Sequence, residues 1–178
     1  MQVTRLTAAD VSLVGAIDRS EHVAAEYEVV DGRLRERPVS MSEIPAWAPT
    51  GSGPHSIAAA IEFCTSALAG GAVLLGAFDD ERVAGLAVVD PSFEPGLAWL
   101  VFLHVSRPYR RRGVAQALWD AAVEPARAVS AEAIYVSATP TGSAVGFYLR
   151  QGCRLADPVH PELFAHEPDD IHLVCPIV

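Results

Sequence analysis

The stretch Arg110-Arg111-Arg112-Gly113-Val114-Ala115 lies between an apolar run and an amphipathic one, and this setting constrains the fold more than any other part of the chain. Upstream, Leu97-Ala98-Trp99-Leu100-Val101-Phe102-Leu103-His104-Val105 reads as a buried strand. Downstream, Val114, Ala117, Leu118, Ala121 and Ala122 recur at helical spacing. The segment is therefore a strand, a tight basic turn and a helix N-terminus. The first N–H groups of a helix have no intrahelical partner, and the macrodipole adds partial positive charge there. Gly113 and Ala115 are small, so an anion can approach the backbone closely. The pattern is that of an anion cradle. Its expected ligands are the backbone N–H groups of Arg111, Arg112, Gly113, Val114 and Ala115, with one or two guanidinium groups from Arg110 to Arg112. The alternative reading of three adjacent arginines is a solvated basic turn.

A second segment sharpens this. Ala133-Ile134-Tyr135-Val136-Ser137-Ala138 reads as another strand, and Thr141-Gly142-Ser143-Ala144-Val145-Gly146-Phe147-Tyr148-Leu149-Arg150-Gln151-Gly152 follows it. The order is strand, R-x-x-G-x-A turn, helix, strand, then A-x-x-F-Y-x-x-x-G. Over about residues 72 to 153 this resembles the GNAT superfamily of N-acetyltransferases. The resemblance implies that the turn carrying Arg110, Gly113 and Ala115 holds the pyrophosphate of acetyl-CoA. It also makes Ala144, Phe147, Tyr148 and Gly152 the second motif. The implied fold is α/β (α+β), a mixed, mostly antiparallel central sheet of six or seven strands flanked by helices. The sheet is expected to open between strands 97–105 and 133–138. The backbone of Leu103, His104 and Val105 would then run beside the pantetheine arm, where an N–H group stabilises the oxyanion of a tetrahedral intermediate.

The activity so implied is transfer of an acetyl group from acetyl-CoA to a primary amine of a small molecule, peptide or protein, by direct attack. Tyr148 is the candidate general acid, since a phenol can protonate the departing thiolate; the plainer reading is a core tyrosine. Phe147 reads as packing. The general base is less defined. Some members of the family carry Glu on the fourth strand, but the similar position here is near Trp99, and no carboxylate lies on that strand. His104 is the candidate on that strand, against the alternative of a packed, hydrogen-bonded core histidine. Glu26, Glu28, Glu94 or a water chain are the other options. Thr141 stands where the family often has Asn, a cofactor contact with shorter reach. Cys153 stands where Phe is common and reads as a small buried residue. Glu26, Tyr27, Glu28 and Trp47 are the candidate acceptor pocket, an aromatic and acidic site for a cationic amine; the alternative is loop packing around Trp47.

Composition narrows the rest. The chain has 178 residues, enough for one domain with a sizeable core. The whole chain is accordingly expected to be one such unit, with 19–56 as an acceptor-side excursion and 97–153 as the acetyl-CoA-binding core. A net charge of −9 argues against nonspecific nucleic-acid binding. All 13 basic residues are arginine, so the protein cannot acetylate itself on a lysine side chain and has no phosphate-binding-loop lysine. The G-x-G-x-x-G dinucleotide fingerprint is also missing. The histidines show no metal-ligand spacing, so no metal is expected. Cys64, Cys153 and Cys175 are odd in number and lack C-x-x-C spacing, which argues against a disulfide framework or a zinc site and favours a reducing cytoplasm. No apolar run approaches the roughly 18 residues of a membrane span, and no secretory signal is visible. A homodimer is left open. The functional alternative is a noncatalytic acyl-CoA-binding sensor on the same fold.

Along the chain, residues 2 to 7 read as an edge strand. Thr7 or Asp10 caps a helix through roughly Asp18, burying Leu13, Val14 and Ile17. Asp31-Gly32 marks a hairpin turn. Pro38, Pro45, Pro49 and Pro54 mark a long irregular excursion. Ser56 to Gly70 is expected to be helical. Ala72 to Phe78 and Val83 to Val89 form a hairpin, with Pro91 to Gly96 as connection. Pro125 is expected to kink or break the helix that starts after Gly113. A Pro- and His-containing connection then leads to a last strand from Ile171 to Ile177.

Overall fold

The computed structural model describes residues 1–177. A seven-stranded sheet organises them. Its strands are β1 (Gln2–Arg5), β6 (Val73–Asp79), β7 (Arg82–Glu94), β8 (Leu97–Val105), β9 (Ala133–Ala138), β10 (Arg154–Leu155) and β11 (Ile171–Pro176). They lie in the order β1-β6-β7-β8-β9-β11-β10, and every pairing except β8 with β9 is antiparallel. Two small ribbons stand outside the sheet: β2 (Glu21–His22) with β5 (Glu43–Ile44), and β3 (Glu26–Val30) with β4 (Arg33–Arg37). The helices are α1 (Ile57–Ala69), α2 (Val114–Ala128), α3 (Gly142–Arg150) and α4 (Pro161–His166). The mixed, mostly antiparallel architecture expected from the sequence is the one formed.

Two apolar layers cover the sheet. On one face Ala98, Leu100, Ile134, Val136, Ala138 and Leu173 pack with Val114, Leu118, Ala122 and Ala126 of α2. On the other, Leu74, Leu86, Val88 and Val101 pack with Val14, Ala60 and Cys64. The period of two along the strands sorts these side chains between the faces. Gly85 sets how closely α2 approaches: a Cβ there would meet Leu118 Cδ1 at 2.9 Å and His104 O at 3.0 Å. With no side chain on β7 at that point, the first turns of α2 settle onto the sheet.

Local signals account for most of the elements. Ser56 caps α1 by accepting from the Ala59 N–H at 3.1 Å, and Gly70 closes it. Asp31 and Gly32 adopt φ of 50° and 69°, as the tight β3–β4 turn requires. The N-terminal helix is a 3₁₀ helix over Ala8–Ala16 and stops short of Asp18, with Thr7 and Asp10 forming a capping box; Val14 and Ile17 are buried, as expected.

Four expectations need correction. β7 does not end at Val89; it continues through a register shift to Glu94, because Asp90 and Glu94 still find partners in Trp99 and Leu97. Pro125 does not end α2, which runs on to Ala128 with Ala122, Val123 and Ala126 holding it to the sheet. The connection after Leu155 contains α4, with Pro161 in its first turn and His160 accepting from the Leu163 N–H at 3.4 Å. Finally, Cys153 and Cys175 form a disulfide, which the cysteine count had argued against. The Arg154–Val174 pairing places them opposite each other with Cα atoms 4.0 Å apart. Cys64 is the free, buried one. The cysteines therefore give no argument for a reducing compartment. No helix among the described residues is long and apolar enough to cross a membrane.

Candidate active site

The site begins where two strands part. β8 and β9 pair in parallel only from Leu97–Ala133 to Leu100–Val136. The β7 register then slips, so that Val89 faces Leu100 while Val88 faces Phe102, leaving Val101 as an extra residue on β8. A bulge of this kind bends its strand and raises its twist. From there β8 continues to Val105 along β7 alone, while Ser137 and Ala138 continue along β11 alone. Leu103, His104 and Val105 thus lie on the unpaired stretch of β8, beside a cleft.

At the end of that stretch the chain enters the basic turn. Arg111 has φ of 58°, and Gly113, at φ 80°, is the N-cap of α2 with no side-chain capping bond. Arg111, Arg112 and Gly113 are exposed. A Cβ on Gly113 would meet no atom within 4 Å, so the left-handed backbone, not crowding, is what calls for glycine. The first N–H groups of α2 are therefore uncapped by side chains and face an open surface flanked by Arg111 and Arg112, as an anion cradle requires.

Arg110 does something else. Its Nη2 donates to the Arg19 carbonyl at 2.8 Å and its Nε to the Val105 carbonyl at 3.0 Å, while Nη1 meets Glu21 Oε2 at 3.3 Å. The side chain is spent on holding residues 19–21 against the turn. Glu21 also accepts from the Ser143 hydroxyl at the start of α3. One carboxylate therefore links the approach to α2 with the N-terminus of α3. Thr141 is 4% exposed and caps α3, accepting from the Ala144 N–H at 3.4 Å, with Ser143 Oγ 3.1 Å away. Its hydroxyl is engaged within the protein and does not project as a free contact.

The four residues expected to form an acceptor pocket are not brought together. Glu26 is buried, its carboxylate accepting from the Ser40 N–H and hydroxyl and the Met41 N–H, with Arg37 Nη2 at 3.2 Å. These partners hold it below the usual carboxylate range, the Ser40 N–H first. It clamps the loop after β4. Tyr27 packs on the main core and donates its N–H to the Pro140 carbonyl, and Glu28 is exposed on the hairpin opposite Arg35. Glu94, another of the carboxylates considered as base, lies 3.0 Å from His160 Nε2, at the far end of β7 from the β8 stretch that carries His104.

Trp47 alone reaches the cleft. Its ring lies 5.4 Å from His104 edge-on and 6.4 Å from Phe102, and the Arg19 guanidinium sits 4.3 Å over it. His104 is thereby enclosed by Trp47 and Phe102 beside cations. Burial first, then Arg19 and Arg110, push its imidazolium pKa down to about 3. It is neutral at physiological pH, but the same surroundings oppose its taking up a proton.

Across the cleft, Tyr148 on α3 is 7% exposed, its ring against Trp119 and Phe147 at 5.9 and 5.1 Å. Its hydroxyl makes no hydrogen bond to a described residue. Burial, then Asp170 and Glu167, push the phenol well above its ordinary value, so it stays protonated. Glu167 and Asp170, in the segment between α4 and β11, are the carboxylates whose charge bears on Tyr148 and were not singled out from the sequence. Burial pushes Glu167 up and raises Asp170 to about 7, with Glu167 and Asp169 adding to the rise on Asp170. No group of three or more potential metal-ligating side chains occurs among the described residues.

A family model described as Acetyltransferase (GNAT) family matches residues 39–153. The chain belongs to the GNAT acetyltransferase family. No curated protein sequence matches it significantly. Among solved structures, it resembles a nourseothricin acetyltransferase at 21% identity and a TM-score of 0.73, covering 99% of this chain and 98% of that one. A putative streptothricin acetyltransferase from Bacillus anthracis str. Ames, crystallised with acetyl coenzyme A, gives 16% identity, a TM-score of 0.67 and 99% coverage of both chains. The ribosomal-protein-S18-alanine N-acetyltransferase of Escherichia coli gives 13% and 0.60, covering 99% of this chain and 93% of that one. At these identities the likeness is one of fold.

Proposed function

We propose that residues 1–178 act as one unit that moves an acetyl group from acetyl-CoA to a primary amine, by direct attack through a tetrahedral intermediate. The observation that carries this reading is the uncapped N-terminus of α2, with Arg111, Arg112 and Gly113, standing at the end of a cleft whose far wall holds Tyr148. The α2 N–H groups and the Arg111 and Arg112 side chains bind the pyrophosphate. Arg110 serves the turn and the acceptor side, not the phosphates. The unpaired backbone of Leu103 to Val105 lies along the pantetheine arm and offers an N–H to the developing oxyanion. Tyr148, kept protonated by its surroundings, gives its proton to the departing thiolate.

On the acceptor side, Trp47, Phe102, His104 and Arg19 form one wall. The nourseothricin and streptothricin acetyltransferases of similar fold place those two compounds in the first acceptor panel, beside polyamines and amino acids. Calorimetric titration with acetyl-CoA, with ATP and NAD as controls, tests the donor site. Binding tighter than about 100 μM, near −5.5 kcal/mol, is expected for acetyl-CoA alone. Release of free thiol with the amine panel then tests transfer. Equal binding of ATP, or none of acetyl-CoA, would overturn the reading.

A further inference from the structure

The acceptor-side wall holds a cation that the fold does not neutralise. The Arg19 guanidinium lies 4.3 Å over the Trp47 ring, and that ring stands 5.4 Å from His104, on the stretch of β8 that has parted from β9. The carboxylates nearest Arg19 in sequence are engaged elsewhere. Asp18 accepts from the Ser20 N–H at 3.0 Å, while Glu21 meets Arg110 at 3.3 Å and accepts from the Ser143 hydroxyl. No carboxylate of a described residue forms an ion pair with Arg19. The hydrogen-bond partner of its side chain among the described residues is His55 Nδ1, 3.3 Å from Nη1. Arg110 adds like charge instead.

The same stack leaves two donors without a bond. Arg19 Nε and Trp47 Nε1 are both shut off from solvent, and neither has a hydrogen-bond partner. Three side-chain atoms among the described residues are in this state, and two of them belong to this one pair. The third, Arg37 Nε, at least belongs to a guanidinium that faces the Glu26 carboxylate at 3.2 Å. Arg19 has no such anion. Buried donors are almost always paired, because an unmade bond loses the hydration of the group with nothing in return.

We propose, resting on the acetyl-transfer reading, that the Arg19–Trp47 stack is a carboxylate subsite, and that the acceptor is a small aminocarboxylate such as an amino acid, not a polyamine. A carboxylate has two oxygens that only accept, which matches two idle donors. Its single charge offsets the one guanidinium left unpaired, since Arg110 is taken up by Glu21. A second ammonium, which a polyamine would bring here, meets like charge. Ala46, Ala48 and Pro49, on either side of Trp47, are exposed, so a small turn of the indole brings its N–H to the ligand. With the carboxylate held there, the amine lies along β8, beside the unpaired backbone of Leu103 to Val105. Arg19 and Trp47 are thus the specificity-determining residues of the acceptor side.

The test compares amines that differ by the carboxylate: lysine with cadaverine, ornithine with putrescine, and phenylalanine with phenethylamine, read by free-thiol release. Phenylalaninamide, close in shape but without the negative charge, separates charge from bulk. Expected of the parent chain is a kcat/KM at least about tenfold higher for the aminocarboxylates than for their decarboxylated partners and the amide. Arg19→Gln should lower the aminocarboxylate values at least about tenfold more than those of the partners, so that the preference collapses. Trp47→Phe, which keeps a ring and deletes the N–H, should narrow the preference by a smaller factor, through KM more than kcat. Acetyl-CoA affinity and melting temperature certify each variant, and if Arg19→Gln fails to fold, the parent's own preference and Trp47→Phe decide. Equal or better turnover of the decarboxylated amines by the parent, or equal losses with both members of each pair, would overturn the carboxylate subsite while leaving the transferase reading standing. Failure of the parent chain to bind acetyl-CoA or to acetylate any amine would overturn the transferase reading, and the subsite with it.

Discussion

The Arg110 guanidinium donates to the Arg19 carbonyl at 2.8 Å, turning the first residue of the R-x-x-G-x-A motif inward. The motif thus divides its labour. Arg110 ties the acceptor-side segment to the turn, while Arg111, Arg112 and the helix N-terminus face outward. Arg110→Gln is accordingly expected to cost about 2 kcal/mol of stability, a melting point lower by roughly 6 °C, since charge-assisted bonds to two carbonyls and to Glu21 are lost. Acetyl-CoA affinity should change far less than in Arg112→Gln. Thermal unfolding and calorimetry on both variants check the division; a larger affinity loss in Arg110→Gln would refute it.

Gly113 allows bulk, strain and charge to be separated. Alanine at φ 80° costs about 1–2 kcal/mol, and glutamate pays the same backbone cost. The helix dipole welcomes a carboxylate at an N-cap, so Gly113→Glu should be no less stable than Gly113→Ala. Acetyl-CoA binding should still separate them, falling at least about tenfold further in the glutamate variant as like charges meet. Similar affinities in the two would place the pyrophosphate elsewhere.

Tyr148 provides a prediction with a definite sign. Its phenol is raised by burial and by Asp170 and Glu167, so it remains the acid form through the working pH range. Tyr148→Phe should lower kcat by about 10²-fold with little change in KM, and it should leave the alkaline limb below pH ~10 unaltered. Unchanged turnover would mean that solvent protonates the thiolate.

The cysteines give a chemical count. Cys64 is fully buried, its thiol pushed up to about 12 by burial, and the other two are joined. Native protein should show no fast-reacting thiol, unfolding without reductant should expose one, and unfolding with reductant should expose three. Reduction breaks a cross-link that spans 22 residues, so the melting point should fall by the equivalent of about 3 kcal/mol. Three thiols without reductant would remove the cross-link from the structure.

What the sequence made legible follows a physical rule. β8, α2, β9 and α3 each carry a clear period or cap, and the Asp31-Gly32 turn carries its own chemistry, so these elements were readable locally. Failures occurred where register over distance decides. Cys153 and Cys175 meet only through the pairing of β10 with β11. Arg19 reaches Trp47 across a long irregular loop. α4 has six residues, too few to show a helical period, although Pro161 followed by Glu162 is a helix-start signal that was there to read.

His104 makes the stability of the chain depend on acid in a predictable direction. Its folded pKa is near 3 and its unfolded value near 6.5, so between these limits the unfolded state binds the extra proton. Stability contributed by the neutral imidazole is complete above about pH 6.5 and is lost as the pH falls toward 3. Asp170 acts in the opposite sense: its folded pKa of about 7 exceeds the unfolded 3.8, so its protonated form favours folding at low pH and that benefit is lost as pH rises through 7. His104→Gln should therefore flatten the acid side of a plot of denaturant-derived stability against pH, and Asp170→Asn should steepen it. If His104→Gln left the slope between pH 6 and 4 unchanged, the imidazole would be solvated, and its enclosure by Trp47, Phe102 and the two arginines would not be the state in solution.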